Sequence, residues 1–316
     1  MIKVLANDGI SQSGIDALNE AGIDITTVHV AQEQLAPYIN DNDISVLLVR
    51  SATTARKELI DACPGLKIIG RGGVGMDNID VAYAREKGLQ VINTPAASSH
   101  SVAELVFAHL FGCVRFLHQA NRNMPLEGDT NFKNLKKAYA KGAELRGKTL
   151  GIVGFGRIGK AVAQIAVGCG MKVIYHDQYV PQADIGLSFF DGQEHNFSFT
   201  SIAFDDLLMQ SDFITLHVPA QDAYVIGADQ LAKMKPSAGL INAARGGVVD
   251  EPALLAALDA KQIAFAALDV FEKEPAPDIQ VLMHEKISFS PHIGAATQEA
   301  QDRIGTELAA QIIALS

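Results

Sequence analysis

The fold is decided in the stretch Gly151-Ile152-Val153-Gly154-Phe155-Gly156-Arg157-Ile158-Gly159. Before and within it, Thr149 to Val153 has the apolar character of a buried strand, and after it apolar residues recur at helical spacing up to Gly170. A second apolar run, Lys172 to His176, then ends at Asp177. The order of strand, glycine turn, helix, strand and acid predicts a dinucleotide-binding turn.

Each glycine of this turn has a separate task. Gly154 permits the tight turn, Gly156 lets the backbone approach a pyrophosphate, and Gly159 allows the helix to pack closely on the sheet. The free N–H groups at the N-terminus of that helix face the phosphates. Asp177 follows Gly159 at 18 residues and is expected to bind the adenosine ribose hydroxyls. A carboxylate there favours NAD over NADP, although neighbouring basic residues leave NADP open.

The composition is that of a globular protein of about two domains, with 316 residues, 48% of them hydrophobic and 20% charged. A net charge of −10 argues against nucleic acid or an anionic membrane as partner, so an anionic substrate must be bound by a local cluster of basic residues.

The longest apolar stretch, Val102 to Leu117, is too short and too charged to span a bilayer. The three cysteines are far apart, without metal-ligand spacing. We expect a cytoplasmic enzyme with buried thiols and no metal.

The first hundred residues alternate apolar runs with helical stretches, which predicts a separate doubly wound α/β unit. The predicted strands are Ile2–Ala6, Ile25–Val28, Ile44–Val49, Leu66–Ile69 and Leu89–Ile92. Arg50 with Ser51 follows the third of these strands, and Arg71 follows the fourth. Ligands bind beyond the carboxyl ends of such strands, so both arginines are candidates for an anion pocket. Solvated loop arginines are the alternative interpretation.

The middle of the chain is less regular. Ser101, three residues before Glu104, predicts a capping box that opens a helix reaching Leu117, with an apolar face suited to packing between domains or subunits. We expect its histidines, His109 and His118, to be structural. Residues 121–143 predict an extended arm or loop. Residues 178–200, with four phenylalanines, predict an insertion that covers the cofactor edge or a neighbouring subunit.

Three polar residues in the second half each follow a predicted strand: Arg245, Glu274 and His292. These side chains suit hydride transfer involving a 2-oxo acid. Arg245 can hold the carboxylate and polarise the carbonyl, and His292 can exchange the hydroxyl proton. Glu274 can orient the imidazole and favour its charged form. Each residue alone is more often structural, so the hypothesis depends on the set.

A family resemblance runs along nearly the whole chain. It is carried by Arg50-Ser51, Gly70 to Asp80, Asn93-Thr94-Pro95, Gly154 to Gly159, Asn242 to Gly246, Leu268 to Phe271 with Glu274-Pro275, and Pro291 to Gly294. These motifs resemble the D-isomer-specific 2-hydroxyacid dehydrogenases, particularly short D-3-phosphoglycerate dehydrogenases without a C-terminal regulatory domain. The resemblance implies two doubly wound parallel-sheet domains. These are a flavodoxin-like substrate domain, 1–98 with 292–316, and a Rossmann nucleotide-binding domain, 99–291.

The resemblance also implies site residues, with Arg245, Glu274 and His292 as the catalytic set. NAD would contact Val74, Gly154, Gly156, Arg157, Ile158, Gly159, Asp177, His217, Val218, Pro219, Ala243, Ala244, Arg245, Asp269, His292, Gly294 and Ala295. The substrate would contact Arg50, Ser51, Arg71, Gly73, Val74, Arg245 and His292. A homodimer through the nucleotide-binding domain, chiefly by the helix after Ser101, is expected of the family.

The expected reaction is NAD-dependent oxidation of D-3-phosphoglycerate to 3-phosphohydroxypyruvate, in serine biosynthesis. One alternative is a reductase of glyoxylate, hydroxypyruvate or another D-2-hydroxyacid pair. Another is a non-catalytic scaffold that senses NADH. A formate dehydrogenase is disfavoured, because the family's versions place an amide where Glu274 stands.

Overall fold

The chain divides into two compact units in a computed structural model that describes residues 2–316. The first unit comprises Met1–Ser101 and Ala295–Ser316, and the second comprises Val102–Gly294. Each unit is built on one parallel sheet, which confirms the predicted α/β class. The predicted domains, 1–98 with 292–316 and 99–291, place both boundaries slightly earlier, and their assignment to substrate and cofactor stays a prediction.

The first unit has a five-stranded sheet in the order β2-β1-β3-β4-β5, all parallel, which is the flavodoxin-like order. Its strands are β1 (Lys3–Ala6), β2 (Asp24–Thr26), β3 (Val46–Val49), β4 (Ile68–Arg71) and β5 (Gln90–Asn93). Its first four helices are α1 (Gln12–Glu20), α2 (Gln32–Asp41), α3 (Lys57–Ala62) and α4 (Val81–Glu86). The C-terminal helix, Gln298–Ala314, completes it.

Two features of this unit were not predicted. One is helix α2, which contains Pro37 and buries only Leu35 and Ile39. A proline within a stretch of sequence argues against a helix there. The C-terminal helix packs on α1 at a glycine contact, since a Cβ on Gly14 would lie 2.9 Å from the backbone of Gly305. Because these glycines are far apart in sequence, no local pattern indicates their contact.

The second unit has a six-stranded parallel sheet in the order β13-β12-β11-β10-β6-β7, with a separate antiparallel hairpin of β8 and β9. The strands are β6 (Thr149–Val153), β7 (Lys172–His176), β8 (Gln182–Ser188), β9 (Glu194–Thr200), β10 (Phe213–Leu216), β11 (Gly239–Asn242), β12 (Phe265–Leu268) and β13 (Ile287–Phe289). Ser201 forms one parallel bridge with Tyr175 of β7. With that bridge in the place of a third strand, the order is that of a Rossmann fold.

The helices between the first unit's sheet and its C-terminal helix are α5 (Ser99–Val114), α6 (Leu117–Glu127), α7 (Phe132–Ala138), α8 (Arg157–Gly168), α9 (Phe204–Gln210), α10 (Ala228–Lys233), α11 (Glu251–Asp259) and α12 (Ile279–Met283).

Two predictions about these helices were wrong. A capping box at Ser101 was predicted to open α5, but α5 begins at Ser99, and the Ser101 hydroxyl is hydrogen-bonded to Thr297 Oγ1 at 2.8 Å. The prediction of an extended arm or loop over 121–143 was also wrong, because most of this segment lies in α6 and α7. Helix α6 buries no side chain, and a helix without a buried face needs no apolar periodicity in its sequence.

The segment 178–200, whose structure the sequence did not indicate, forms mainly the β8–β9 hairpin. Ile185 of β8 is buried, and Phe197 and Phe199 of β9 pack on the core of the second unit; β8 contacts α8 and β9 contacts β7. The Gln164 side chain of α8 donates to the Gly186 carbonyl at 2.7 Å. Phe190 at the tip is fully exposed. The inner aromatic residues therefore stabilise the hairpin on its own unit, and both roles predicted for the aromatic residues of this segment remain predictions.

No single helix in the described part of the chain is long and apolar enough to cross a membrane. The pair α5 and α6 reaches that length and apolar content only when taken together, and it is bent by 58° at the break.

Candidate active site

The glycine turn after β6 has the geometry of a phosphate cradle. Gly154 has a φ of +91°, and a Cβ there would lie 2.5 Å from the His217 carbonyl oxygen. A Cβ on Gly159 would overlap the Gly154 carbonyl. Gly156, at the N-cap of α8, faces open space within 4 Å, and no side chain among residues 2–316 caps that helix end. The residues present therefore fit a dinucleotide pyrophosphate.

Asp177 lies directly after β7 and is tied to this turn. Its Oδ2 accepts the Phe155 N–H at 2.7 Å, and its Oδ1 accepts the N–H groups of Tyr179 at 2.8 Å and Val180 at 3.1 Å. These bonds orient a carboxylate whose two oxygens offer about four acceptor positions in total. One position remains for a ribose hydroxyl, so the geometry is compatible with the predicted role. The three backbone bonds had no signal in the sequence.

His217 follows β10 at the neighbouring strand end. Its backbone N–H donates to Val153 at 2.7 Å, and its ring Nε2 is hydrogen-bonded to Thr215 Oγ1 at 3.0 Å. Burial lowers the pKa of His217 to about 3, so the ring is neutral. Within the described residues, its buried Nδ1 has no hydrogen-bond partner. A predicted contact of His217 with NAD would therefore involve no charge from this ring.

Arg245 lies on a turn that β11 positions. Asn242, the last residue of that strand, accepts the Ala244 N–H at 3.1 Å and donates to the Arg245 carbonyl at 2.9 Å. The guanidinium donates to the Ala244 carbonyl at 2.6 Å. A Cβ on Gly246 would overlap the Phe271 carbonyl, so the turn lies against the loop after β12. Asn242 thus braces the arginine turn, a role that the sequence did not reveal.

The structure brings two of the three predicted catalytic side chains into direct contact. His292 Nδ1 and Glu274 Oε2 are 2.7 Å apart, and Glu274 Oε1 accepts the Phe271 N–H at 3.0 Å. The His292 side chain is 42% exposed. With Nδ1 bonded to the carboxylate, proton exchange with a substrate falls to Nε2. The pair has the arrangement of an oriented general acid–base.

Asp269, predicted to contact the cofactor, is only 2% exposed. Its Oδ1 accepts the Ile293 N–H at 2.9 Å and the Ser290 hydroxyl at 2.6 Å, and its Oδ2 accepts the Gly294 N–H at 2.9 Å. The carboxylate therefore anchors the loop that carries His292. A contact with NAD stays a prediction.

The two arginines of the first unit lie at one edge of its sheet. Arg71 ends β4 and pairs in register with Val49, which directly precedes Arg50. Asp8 Oδ2 accepts the Arg50 N–H at 2.6 Å, and the Asn78 side chain donates to the Arg50 carbonyl at 2.7 Å. The backbone that carries Arg50 and Ser51 is thus braced from two sides. Asp8 and Asn78 had no assigned role from the sequence.

The loop after Arg71 is held in a similar way. Gly73 has a φ of +149°, which favours glycine, and its N–H donates to the Arg71 carbonyl at 2.9 Å. The Thr94 N–H donates to the Gly73 carbonyl at 3.1 Å, and the Asn93 side chain donates to the Val74 carbonyl at 2.8 Å. The predicted substrate residues Gly73 and Val74 therefore share one anchored loop.

The other predicted cofactor residues follow strand ends of the second unit, with two exceptions. Those of the second unit are Arg157 and Ile158 at the start of α8, Val218 and Pro219 after β10, Ala243 and Ala244 after β11, and Gly294 after β13. Ala295 belongs to the first unit, as does Val74. All of these contacts stay predictions.

Comparisons with known proteins decide the family. The sequence profile described as "D-isomer specific 2-hydroxyacid dehydrogenase, NAD binding domain" matches residues 107–294. A hydroxypyruvate reductase of Thermotoga maritima is 40% identical, over 98% of this chain and 97% of that protein. The chain belongs to the D-isomer-specific 2-hydroxyacid dehydrogenases. This confirms the resemblance and the cofactor, NAD.

Two further relatives of this dehydrogenase are named for different substrates. A D-3-phosphoglycerate dehydrogenase of Methanocaldococcus jannaschii is 41% identical over 99% of this chain but 57% of its own length. The chain thus spans about half the length of the phosphoglycerate dehydrogenases that it matches. The structure of a D-lactate dehydrogenase from Aquifex aeolicus, complexed with NAD and lactic acid, is 27% identical, with a TM-score of 0.76 over 99% of this chain and 95% of that one.

Proposed function

We propose that this dehydrogenase oxidises D-3-phosphoglycerate to 3-phosphohydroxypyruvate with NAD, a reaction of serine biosynthesis. The hydride-transfer chemistry is supported by the 2.7 Å pair of His292 and Glu274, beside a braced Arg245 turn in the same unit. The phosphorylated substrate is supported by Arg50 and Arg71 at one sheet edge and by the similarity to phosphoglycerate dehydrogenases. Two guanidinium groups suit a substrate that carries a phosphate in addition to the carboxylate that Arg245 would hold.

The proposed roles follow from the donors and acceptors of each group. The glycine turn after β6 would hold NAD, which would supply the hydride acceptor for the carbon that bears the hydroxyl. Arg245 holds the carboxylate through its planar fork and stabilises the negative charge that develops on the oxygen. His292 accepts the hydroxyl proton at Nε2, and Glu274 stabilises the resulting imidazolium through Nδ1. In the reverse direction the imidazolium returns that proton to the new hydroxyl.

A reductase of hydroxypyruvate or glyoxylate is the second candidate. The T. maritima hydroxypyruvate reductase matches this chain over nearly its full length, unlike the longer phosphoglycerate dehydrogenases. Such a substrate carries no phosphate, so one arginine fork would be enough for its carboxylate.

Steady-state turnover of the purified protein separates the two candidates. NAD with D-3-phosphoglycerate is measured beside NADH with hydroxypyruvate and with glyoxylate, in one buffer series. We expect the highest kcat/KM with the phosphorylated acid. Activity confined to the unphosphorylated acids would contradict the proposed substrate and leave the roles of His292, Glu274 and Arg245 in place.

A non-catalytic NADH sensor is the candidate of another class. The assembled contact between Glu274 and His292 weighs against it, because cofactor binding alone requires no oriented acid–base pair. The absorbance of reduced nicotinamide decides between them. A protein that binds NADH and consumes none with any 2-oxo acid would be a sensor.

We also propose that the chain forms a homodimer through α5 and the helices after it. Five large apolar side chains are exposed on these helices: Phe111, Leu117, Met124, Leu126 and Phe132. An apolar surface of this kind marks a protein interface. Sedimentation of the intact protein and of Leu126→Glu tests this proposal: we expect a dimer that the charged variant weakens, and a wild-type monomer would contradict it.

A further inference from the structure

A row of four buried polar side chains crosses the second unit behind the active-site loop. His109 on α5 has its Nδ1 2.8 Å from Ser288 Oγ and its Nε2 2.8 Å from Ser290 Oγ. Ser290 donates in turn to Asp269 Oδ1 at 2.6 Å. All four residues are less than one-tenth exposed. The row thus connects α5 to the carboxylate that anchors the loop of His292.

The hydrogen atoms in this row can be assigned. A carboxylate only accepts, so the single hydroxyl hydrogen of Ser290 is used by Asp269. Ser290 must therefore accept from His109, whose Nε2 carries a proton. Burial lowers the pKa of His109, while the Asp269 charge opposes that shift and His118 adds to it. A neutral ring then accepts at Nδ1 from the Ser288 hydroxyl. The proton positions run in one direction along the row, from Ser288 to Asp269.

Asp269 and Ser290, at the end of the row away from α5, hold the backbone around His292. Asp269 accepts the N–H groups of the two residues that follow His292, and the His292 N–H donates to the Ser290 carbonyl at 3.1 Å. His292 itself has a φ of +54°, in the left-handed region that a residue with a Cβ disfavours. Such a conformation persists only where its surroundings hold it. Ser290 contributes to that support with both its carbonyl and its hydroxyl.

We propose that His109 is a positioning residue for proton transfer: by donating to Ser290, it directs the serine hydroxyl at Asp269 and so holds the loop that presents His292. His109 touches neither Glu274 nor the reacting atoms in this arrangement, and it acts through Ser290 and Asp269. The catalytic part of this inference rests on the proposed function. The structural part concerns the amides of Ile293 and Gly294, whatever acid is the substrate.

The experiment compares His109→Leu, which removes both ring nitrogens, with His109→Gln, whose side-chain N–H₂ can replace the Nε2 donor. Ser290→Ala breaks the row at its next member with a smaller change of volume. Val106→Ala is the matched control, since it truncates a buried side chain of the same helix that makes no polar contact. Each protein is measured for kcat and KM with the acid that wild type turns over fastest, and for hydrogen exchange of the Ile293 and Gly294 amides.

We expect kcat to fall about tenfold in His109→Leu and Ser290→Ala with KM changed far less, because a small displacement of a reacting group lowers turnover strongly. His109→Gln should recover most of that loss, and Val106→Ala should keep wild-type kcat. The two amides should exchange faster in His109→Leu and Ser290→Ala only. Unchanged exchange in both variants, unchanged kcat in both, or no recovery with glutamine would each overturn the proposal. A wild type inactive with every acid would contradict the proposed function instead, and the exchange measurement would still decide the structural part.

Discussion

The two sheets of this protein have similar architecture but different carboxyl edges. In the second unit the polar side chains themselves are held: Asp177, Asp269 and Glu274 each accept two or more hydrogen bonds from neighbouring groups. In the first unit the hydrogen bonds of Asp8 and Asn78 brace the backbone that carries Arg50. An edge of fixed side chains suits chemistry that tolerates little displacement, and an edge of braced arginine loops suits binding of an anion. Substitutions of the catalytic groups in the second unit should therefore lower turnover. Substitutions of the arginines in the first unit should alter the preference among substrates.

His292→Ala should give the largest effect. Removing general acid–base help is expected to lower kcat by about 10²–10⁴-fold with a much smaller change in KM. Steady-state kinetics with the preferred acid measures it, with the urea unfolding midpoint as the control for folding. Near-normal turnover in this variant would contradict the proposed mechanism.

Arg71→Ala and Arg50→Ala test the other edge. Hydrogen bonds to a charged group contribute about 1.5–3 kcal/mol, so KM for D-3-phosphoglycerate should rise roughly 10- to 100-fold if an arginine binds its phosphate. KM for glyoxylate should change much less. Arg85→Ala, an exposed arginine on α4, is the matched control. Equal effects on both acids would argue for a role in binding the common carboxylate.

Asp177→Asn should weaken NAD binding about tenfold and reduce discrimination against NADP, because the variant loses the charge and one acceptor oxygen. The two backbone donors on Oδ1 and the one on Oδ2 cannot all be accepted by an amide. Titration with NADH and NADPH measures the ratio of affinities. A ratio equal to that of wild type would mean that Asp177 serves the turn and not cofactor choice.

The last prediction concerns stability. Burial lowers the pKa of His217 from 6.5 to about 3, so the unfolded chain binds a proton in this range that the folded protein does not. The free energy of unfolding should therefore fall as the pH drops below 6.5, by about 1.4 kcal/mol per pH unit. Urea unfolding at pH 7 and pH 5 should show about 2 kcal/mol less loss in His217→Asn than in wild type. Equal losses would show that this ring is protonated in the folded state.

Much of this protein was readable from local patterns. The glycine turn, the strand ends that carry Arg50, Arg71, Arg245, Glu274 and His292, and the class of both sheets follow from short stretches of sequence, because apolar periodicity and glycine positions are local properties. The parallel strands then bring residues that follow strand ends to one edge of each sheet. The sequence by itself therefore determined the fold class and the candidate catalytic set.

Only the tertiary structure decided what holds these residues. Helices α6 and α7 lack the apolar periodicity that predicts a helix, and the hairpin of β8 and β9 is stabilised by packing on α8. His109 bonds to serines 179 and 181 positions away, and Asp8 to Thr53 at 45. A side chain's partners at such separations depend on how the elements pack, and no local pattern encodes them. The chain's own sequence thus names the groups that do the chemistry, and their support comes from long-range contacts formed on folding.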